Sequence, residues 1–326
     1  MKITLAHGSG GQSTAELIEN IFANAYANPV LNQMEDSAVV EGSGKIAITT
    51  DSFVVEPVFF KGGDIGRLSI CGTVNDLLMR GAVPKYITCG FILEEGADTD
   101  NLVRIARSMA ETALEAGVAI VAGDTKVIGG KGGIYINTSG VGFVPEGCDI
   151  SSVNLKPKDA VILSGNLGDH HAAILSHRMG IENTIQSDNA PLNEMVMGLI
   201  NSGVNVHAMR DVTRGGLGTV LNELADASEC MVCIEEKLIP MDRQVEALSK
   251  LLGLNPLHMG NEGKLLAVVP EGEAEKALGI IRKSRYGENA AVIGYVEEGR
   301  GVVMKTLLGG RRIVNVLTGE GLPRIC

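Results

Sequence analysis

Five aspartates stand where apolar segments stop or turn polar. Asp51 follows Ile46-Ala47-Ile48-Thr49-Thr50, Asp124 follows Ala119-Ile120-Val121-Ala122-Gly123, and Asp211 follows Val206-His207-Ala208-Met209-Arg210. Asp36 precedes Ala38-Val39-Val40, and Asp76 sits in Val74-Asn75-Asp76-Leu77. The ends of strands and helices form the rim where α/β proteins bind ligands. Carboxylates converging on such a rim repel one another unless cations lie between them. Mg2+ fits that setting, because it takes one or two carboxylates together with substrate phosphates. Any one of these aspartates alone would also serve as a helix cap or turn residue. Together, beside glycine-rich stretches, they predict a site for a metal and a nucleotide.

His7-Gly8-Ser9-Gly10-Gly11 has neither the lysine of a Walker A loop nor the spacing of a dinucleotide fingerprint. Its backbone N–H groups suit a lid over phosphate, and a flexible N-terminal loop is the plainer reading. Thr213-Arg214-Gly215-Gly216 directly precedes a predicted helix. A helix N-terminus with small residues and an arginine receives anions. Of the six cysteines, Cys230 and Cys233 flank a strand-like Met231-Val232, so their side chains point to opposite faces. They read as inert thiols, as do Cys71 and Cys89, with Cys148 in a loop. Cys326 differs: it ends the chain behind Gly319, Gly321 and Pro323. From Gly319 that arm can span about 25 Å, and an exposed thiol at its end can react with a distant partner or reach a cleft.

The elements that must hold these residues follow from periodicity. After the glycine stretch, Ser13 and Glu16 form a capping box, and Leu17, Ile18, Ile21, Phe22 and Tyr26 form a helical stripe. Strands over 37–41 and 45–50 read as a hairpin about Gly42-Ser43-Gly44. A helix over 65–80, a strand over 84–93, a helix over 99–116 and strands over 118–123 and 134–144 complete a mixed unit. The stretch 145–159 is the junction. Strands over 160–164, 204–209, 231–235, 264–269 and 291–296 then alternate with helices over 171–179, 193–201, 216–227, 243–251 and 273–284. Short strands over 302–305 and 311–316 close the chain. The fold class is α/β (α+β), with an N-terminal domain 1–148, a C-terminal domain 149–310 and a tail 311–326.

Composition excludes other classes. Lys plus Arg is 28 against 39 Asp plus Glu, a formal charge of −11. No basic face is available for nucleic acid or for an anionic membrane. Tryptophan is absent, and aromatics are 3%, too few for base-stacking platforms. No apolar run approaches the length of a membrane span, and the N-terminus has no apolar signal core. Sparse cysteines predict a reducing, cytoplasmic setting.

Eight segments carry a family resemblance: His7–Gly11, Thr50–Val55, Gly63–Gly66, Cys71–Asp76, Gly123–Val127, Arg210–Gly216, Asn261–Lys264 and the terminal Pro323-Arg324-Ile325-Cys326. On these the chain resembles the HypE family of hydrogenase maturation factors. That family belongs with aminoimidazole ribonucleotide synthetase (PurM), selenophosphate synthetase and thiamine-monophosphate kinase among ATP-using enzymes. The resemblance implies a two-domain PurM-like fold of AIR-synthase-like domains. The N-terminal sheets of a homodimer would close a barrel, and the mobile tail would return to the cleft. It implies that HypF carbamoylates the thiol of Cys326, and that ATP then drives dehydration of the S-carboxamide to a thiocyanate. The cyanide passes to iron on a HypC–HypD complex for the [NiFe]-hydrogenase centre. The resemblance also assigns residues. Mg2+ would rest on Asp36, Asp51, Asp76, Asp124 and Asp211. ATP would meet Gly10, Gly11, Asp51, Asp76, Asp124, Thr125, Asp211 and Thr213. Glu262 would be the base and Lys126 would bind the phosphoryl or amide oxygen, or the two roles would be exchanged.

Two other readings remain open on sequence. One is an ATP-using enzyme of the same scaffold acting on a free small molecule, for which Cys326 has no use. The other is a carrier that delivers a group on Cys326 with ATP as a conformational ligand, for which Lys126 and Glu262 have none.

Overall fold

The structure is a computed structural model, and it describes residues 2–4, 16–33, 42 and 44–316. His7, Gly10, Gly11, Ser13, Asp36, the strand expected over 37–41 and Cys326 lie outside the described residues.

Four strands, β1 (Lys45–Phe53), β2 (Val83–Glu94), β3 (Ala119–Ile128) and β4 (Ile134–Val144), form the N-terminal sheet in the order β1-β4-β2-β3. β2 and β3 are parallel, which demands a crossover. Helix α2 (Thr99–Ala116) supplies it. Asp98 caps this helix by accepting the Asp100 N–H, and Gly117, at φ 67°, ends it. Leu102, Ile105 and Met109 line its buried face. Helix α1 (Ile65–Met79) precedes it and has almost no exposed face. It is wedged between the sheet, α2 and the C-terminal domain, so its sequence is apolar and small all round.

The C-terminal sheet has seven strands, β5 (Asp159–Leu163), β6 (Ala208–Asp211), β7 (Met231–Glu235), β8 (Leu265–Pro270), β9 (Ala291–Glu297), β10 (Gly301–Lys305) and β11 (Arg311–Ile313). Their order is β11-β10-β7-β9-β5-β8-β6, antiparallel except for the β7/β10 pair. Central β5 and β8 read as near-continuous apolar runs because both faces are covered. Ile162, Ala267 and Val269 pack with helices α4 (Asn193–Asn201) and α7 (Ala274–Lys283). Val161, Leu163, Leu266 and Val268 pack with α5 (Gly216–Ser228). The larger apolar cluster crosses the domain boundary, joining Ile65, Val74 and Leu78 to Leu192, Met195 and Leu199. Helices α3 (Asp169–Arg178) and α6 (Arg243–Leu252) pack together at one side.

Three of the strand boundaries that differ from the sequence reading bear on the site. β1 runs on to Phe53 and β3 to Ile128, so Asp51 and Asp124 lie inside strands and not at their ends. The strand expected over 204–209 is Ala208–Asp211. Val204 and Val206 are buried by packing, while pairing with β8 begins only at Ala208 opposite Val268. The sheet also continues to Ile313, three residues past 310, because β11 pairs with β10. Among the described residues no helix is long and apolar enough to cross a membrane.

Candidate active site

Helix α1 begins at a firm cap: the Asp64 carboxylate accepts the N–H groups of Gly66 and Arg67 at 2.8 and 3.0 Å. From there it passes under β1. A Cβ on Gly72 would lie 2.9 Å from the Phe53 ring and 3.5 Å from Oδ2 of Asp51. Glycine is what lets the helix approach the strand. Asp51 thus faces the helix, and one turn further the Thr49 hydroxyl donates to Asp76 at 2.8 Å.

The C-terminal domain brings two loops to the same place. Asp211 ends β6 opposite Leu265 of β8. Val212 donates to the Lys264 carbonyl at 2.9 Å, and the Asn261 N–H and amide donate to the Val212 carbonyl at 3.1 and 2.9 Å. These bonds lock the 261–264 loop to the segment that leads into α5. Glu262 rides on that loop and is 5% exposed. A cavity of about 230 Å³ beside these carboxylates is lined by Asp76, Arg80, Ile150, Ser152, Arg210 and Asp211.

The charges interact as a group. Burial first, then the neighbouring Asp76 carboxylate, raises Asp51 to about 6, with Arg214 opposing. Burial and then Asp76 raise Asp211 to about 7. Burial also raises Asp76, against the Thr49 hydroxyl and Arg210. Glu262 is pushed well above the usual carboxylate range, first by burial and then by Asp188, Asp211 and Asp51. Asp51, Asp76, Asp211 and Glu262 are therefore linked electrostatically at the domain junction. Thr213 and Arg214 lie in the turn that leads into α5, and Arg214 opposes the elevation of both Asp51 and Glu262.

The structure does not bring every expected residue there. Asp124, Thr125 and Lys126 lie on β3, the edge of the N-terminal sheet opposite β1. Two strands intervene, a separation of about 14 Å. Asp124 and Lys126 are exposed and ion-paired to each other at 2.8 Å, and the lysine holds the Asp124 carboxyl below its usual range. Thr125 is buried, pointing to the other face. Lys126 stands on the outer face of this edge strand, and Glu262 on the buried 261–264 loop of the other domain. Cys71, Cys89 and Cys230 are buried and free, and Cys148 and Cys233 are partly buried. Burial and Glu297 raise the Cys233 thiol to about 11, as expected of an inert cysteine.

The sequence reading missed Asp188, whose carboxylate is 2% exposed and paired to Lys264 at 3.0 Å. It also missed Asn75 as a site residue. Both lie in segments whose significance depends on partners more than seventy residues away. An aspartate in the unpatterned stretch 183–192 was the only available signal.

The donor set can be tested against Mg2+. Among the described residues no three His, Cys, Asp or Glu side chains are close enough to hold a cation by themselves. An ion bound through one or two carboxylates would need its remaining positions filled by phosphate oxygens and water. After burial, Asp76 raises both Asp51 and Asp211, which marks the negative potential such an ion would relieve.

Comparison with known proteins decides the family. The AIR synthase related protein N-terminal domain matches residues 34–144, and the corresponding C-terminal domain matches 156–306. A protein named carbamoyl dehydratase HypE from Rhodobacter capsulatus is 43% identical, over 100% of this chain and 98% of its own length. The chain belongs to the HypE family of carbamoyl dehydratases. A crystal structure of a HypE protein in complex with ATP superposes with a TM-score of 0.96 at 44% identity, covering 99% of both chains. A HypE–HypF complex matches with a TM-score of 0.82 at 45% identity, covering 92% of this chain and 99% of that one. The PurM-like fold of the HypE structures is the fold of this chain.

Proposed function

We propose that this chain uses ATP to dehydrate an S-carboxamide on its own Cys326 to a thiocyanate, the cyanide source for the iron of [NiFe]-hydrogenase. The observation that carries this reading is the gathering of Asp51, Asp76, Asp211 and Glu262 at the domain junction. An amide oxygen is a poor leaving group. In the proposed reaction it attacks the γ-phosphorus of ATP in line, releasing ADP and giving an O-phosphorylated imidate. Removal of the N–H proton and departure of phosphate then leave –S–C≡N. Glu262 is assigned as the proton acceptor, because a buried carboxyl with a raised pKa is suited to general-base work near neutrality. Thr213 and Arg214, at the N-terminus of α5, are assigned to the phosphates. Mg2+ bound with the nucleotide would neutralise phosphate charge, held by one or two of Asp51, Asp76 and Asp211.

A homodimer is supported by the outer face of the N-terminal sheet. Ile46, Ile48, Ile92 and Ile128 are 54, 73, 44 and 44% exposed there. A second copy is the cover that such a face invites. Asp124 and Lys126 stand on that face, so we assign their part in the site to the assembled dimer. HypF is the proposed carbamoyl donor and HypC–HypD the proposed acceptor. A reducing cytoplasm suits a thiol that must stay free.

Intact-mass measurement tests the reading. Incubation with the carbamoyltransferase should add about 43 Da at Cys326, and Mg·ATP should then remove about 18 Da. Retention of the carboxamide in Mg·ATP would exclude the dehydratase. Absence of any adduct on Cys326 would favour an enzyme acting on a free small molecule.

A further inference from the structure

We propose that Asp188 is a positioning residue that fixes the loop carrying Glu262 and so sets where that carboxylate meets the carboxamide. This rests on the dehydratase reading above. Asp188 lies in residues 183–192, a strap without helix or strand. The strap is tied to the N-terminal domain along its length. Ser187 donates its N–H to the Lys61 carbonyl at 2.8 Å, and Arg67 Nε donates to the Asn189 carbonyl at 2.9 Å. The Asn75 amide donates to the Ala190 carbonyl at 3.1 Å, and Leu192 donates its N–H to Asn75 Oδ1 at 3.0 Å.

On its other side the strap grips the C-terminal domain through one carboxylate. Asp188 accepts the Glu262 N–H at 3.1 Å, the Gly263 N–H at 3.2 Å and the Lys264 ammonium at 3.0 Å. Three consecutive residues thus spend a donor on the same buried group. Glu262 is held at both ends of its backbone, because the Asn75 amide also reaches its carbonyl at 3.5 Å. Asn75 is the neighbour of Asp76. The strap therefore fixes the distance between the nucleotide-facing carboxylates of one domain and the base of the other. Bonds to an ionised carboxylate are stronger than neutral ones, and removing one member of a buried pair strands the other.

An asparagine at 188 keeps the shape but presents an NH2 group to a ring of donors. One of the three bonds must break, and the loop must shift. A misplacement of about 1 Å at a proton-transfer group costs on the order of 100-fold in rate. The test uses the full-length carbamoylated protein in three forms: wild type, Asp188→Asn, and Asp188→Asn with Lys264→Met. The double variant removes both buried charges, so it guards against simple misfolding. Three quantities are read: the rate of mass loss at saturating Mg·ATP, the KM for ATP, and hydrogen exchange in a peptide covering 259–266. Both variants should lose about 100-fold in kcat with KM for ATP within about twofold of wild type. Exchange should rise in that peptide and not in α1.

Unchanged kcat in either variant overturns the proposal. So does a fall in kcat that tracks an equal loss of ATP affinity and of thermal midpoint, because that is a structural role. If wild type itself loses no mass, the dehydratase reading fails. Unchanged exchange over 259–266 would overturn the positioning claim separately.

Discussion

Gly263→Ala should force the strap and the Glu262 loop apart. A Cβ at 263 would lie 1.9 Å from the Asp188 carbonyl oxygen, 2.9 Å from the Ala190 nitrogen and 3.0 Å from the Asp188 carbonyl carbon. Carbon and oxygen approach to about 3.3 Å even in favourable C–H···O contacts, so one backbone must move by more than about 1 Å. All three neighbours are main-chain atoms, and none can rotate aside. Overpacking of this kind costs about 1–3 kcal/mol. At roughly 2–4 °C per kcal/mol for a domain of 150–250 residues, the thermal midpoint should fall by about 2–12 °C. Turnover of the carboxamide should drop on the order of 100-fold, because Glu262 moves with the loop. The KM for ATP should rise far less than turnover falls, since Asp51 and Asp76 are anchored in the other domain and only the 212–214 segment follows the loop. Differential scanning calorimetry and intact-mass kinetics read the two effects. A midpoint within about 1 °C of wild type, with unchanged turnover, would refute the close approach and the argument built on it.

Glu262→Gln should slow dehydration by about 10²–10⁴-fold while calorimetric titration still finds ATP bound; turnover near wild type would remove Glu262 as the base. Burial first, and then Asp188, raises Asp169 from 3.8 to about 7, and its Oδ1 is buried without a partner. Stability from its protonated form is full below about pH 4 and is lost as pH rises through 7. Asp169→Asn should therefore raise the thermal midpoint at pH 8 and change it little near pH 4; an equal shift at both pH values would contradict that origin. Ile48, 73% exposed on the outer sheet face, should tolerate Asp in a monomer but not in a dimer. Ile48→Asp should elute as a monomer in size-exclusion chromatography, and an unchanged dimer would place the subunit contact elsewhere.

Local chemistry made much of the fold legible. Asp98 and Gly117 bracket an amphipathic run, so the helix Thr99–Ala116 could be read to the residue. Strands Ile134–Val144 and Met231–Glu235 were equally plain. β3 was cut short because Gly123-Asp124 looks like a stop. The strand continues because Asp124 and Lys126 face outward while Thr125 and Val127 turn inward, a period-two pattern written in polar residues. Motif and resemblance point to Asp51, Asp76, Asp211 and Glu262, which the fold draws to the domain junction. They do not point to Asp188, because a strap has no period. Its meaning comes from donors at 262–264, which no window of sequence brings beside it.

The strap also constrains how such proteins can be recombined. Residues 183–192 lie beyond the junction at 145–159, yet they hydrogen-bond to Lys61, Arg67 and Asn75. A chimera that joins this N-terminal half to a relative's C-terminal half would keep the receptor and replace its ligand. Grafting succeeds where the crossover carries the strap with the α1 surface it fits. The two halves thus fit as a matched pair, and a seam at the interdomain linker would part the strap from the surface that receives it.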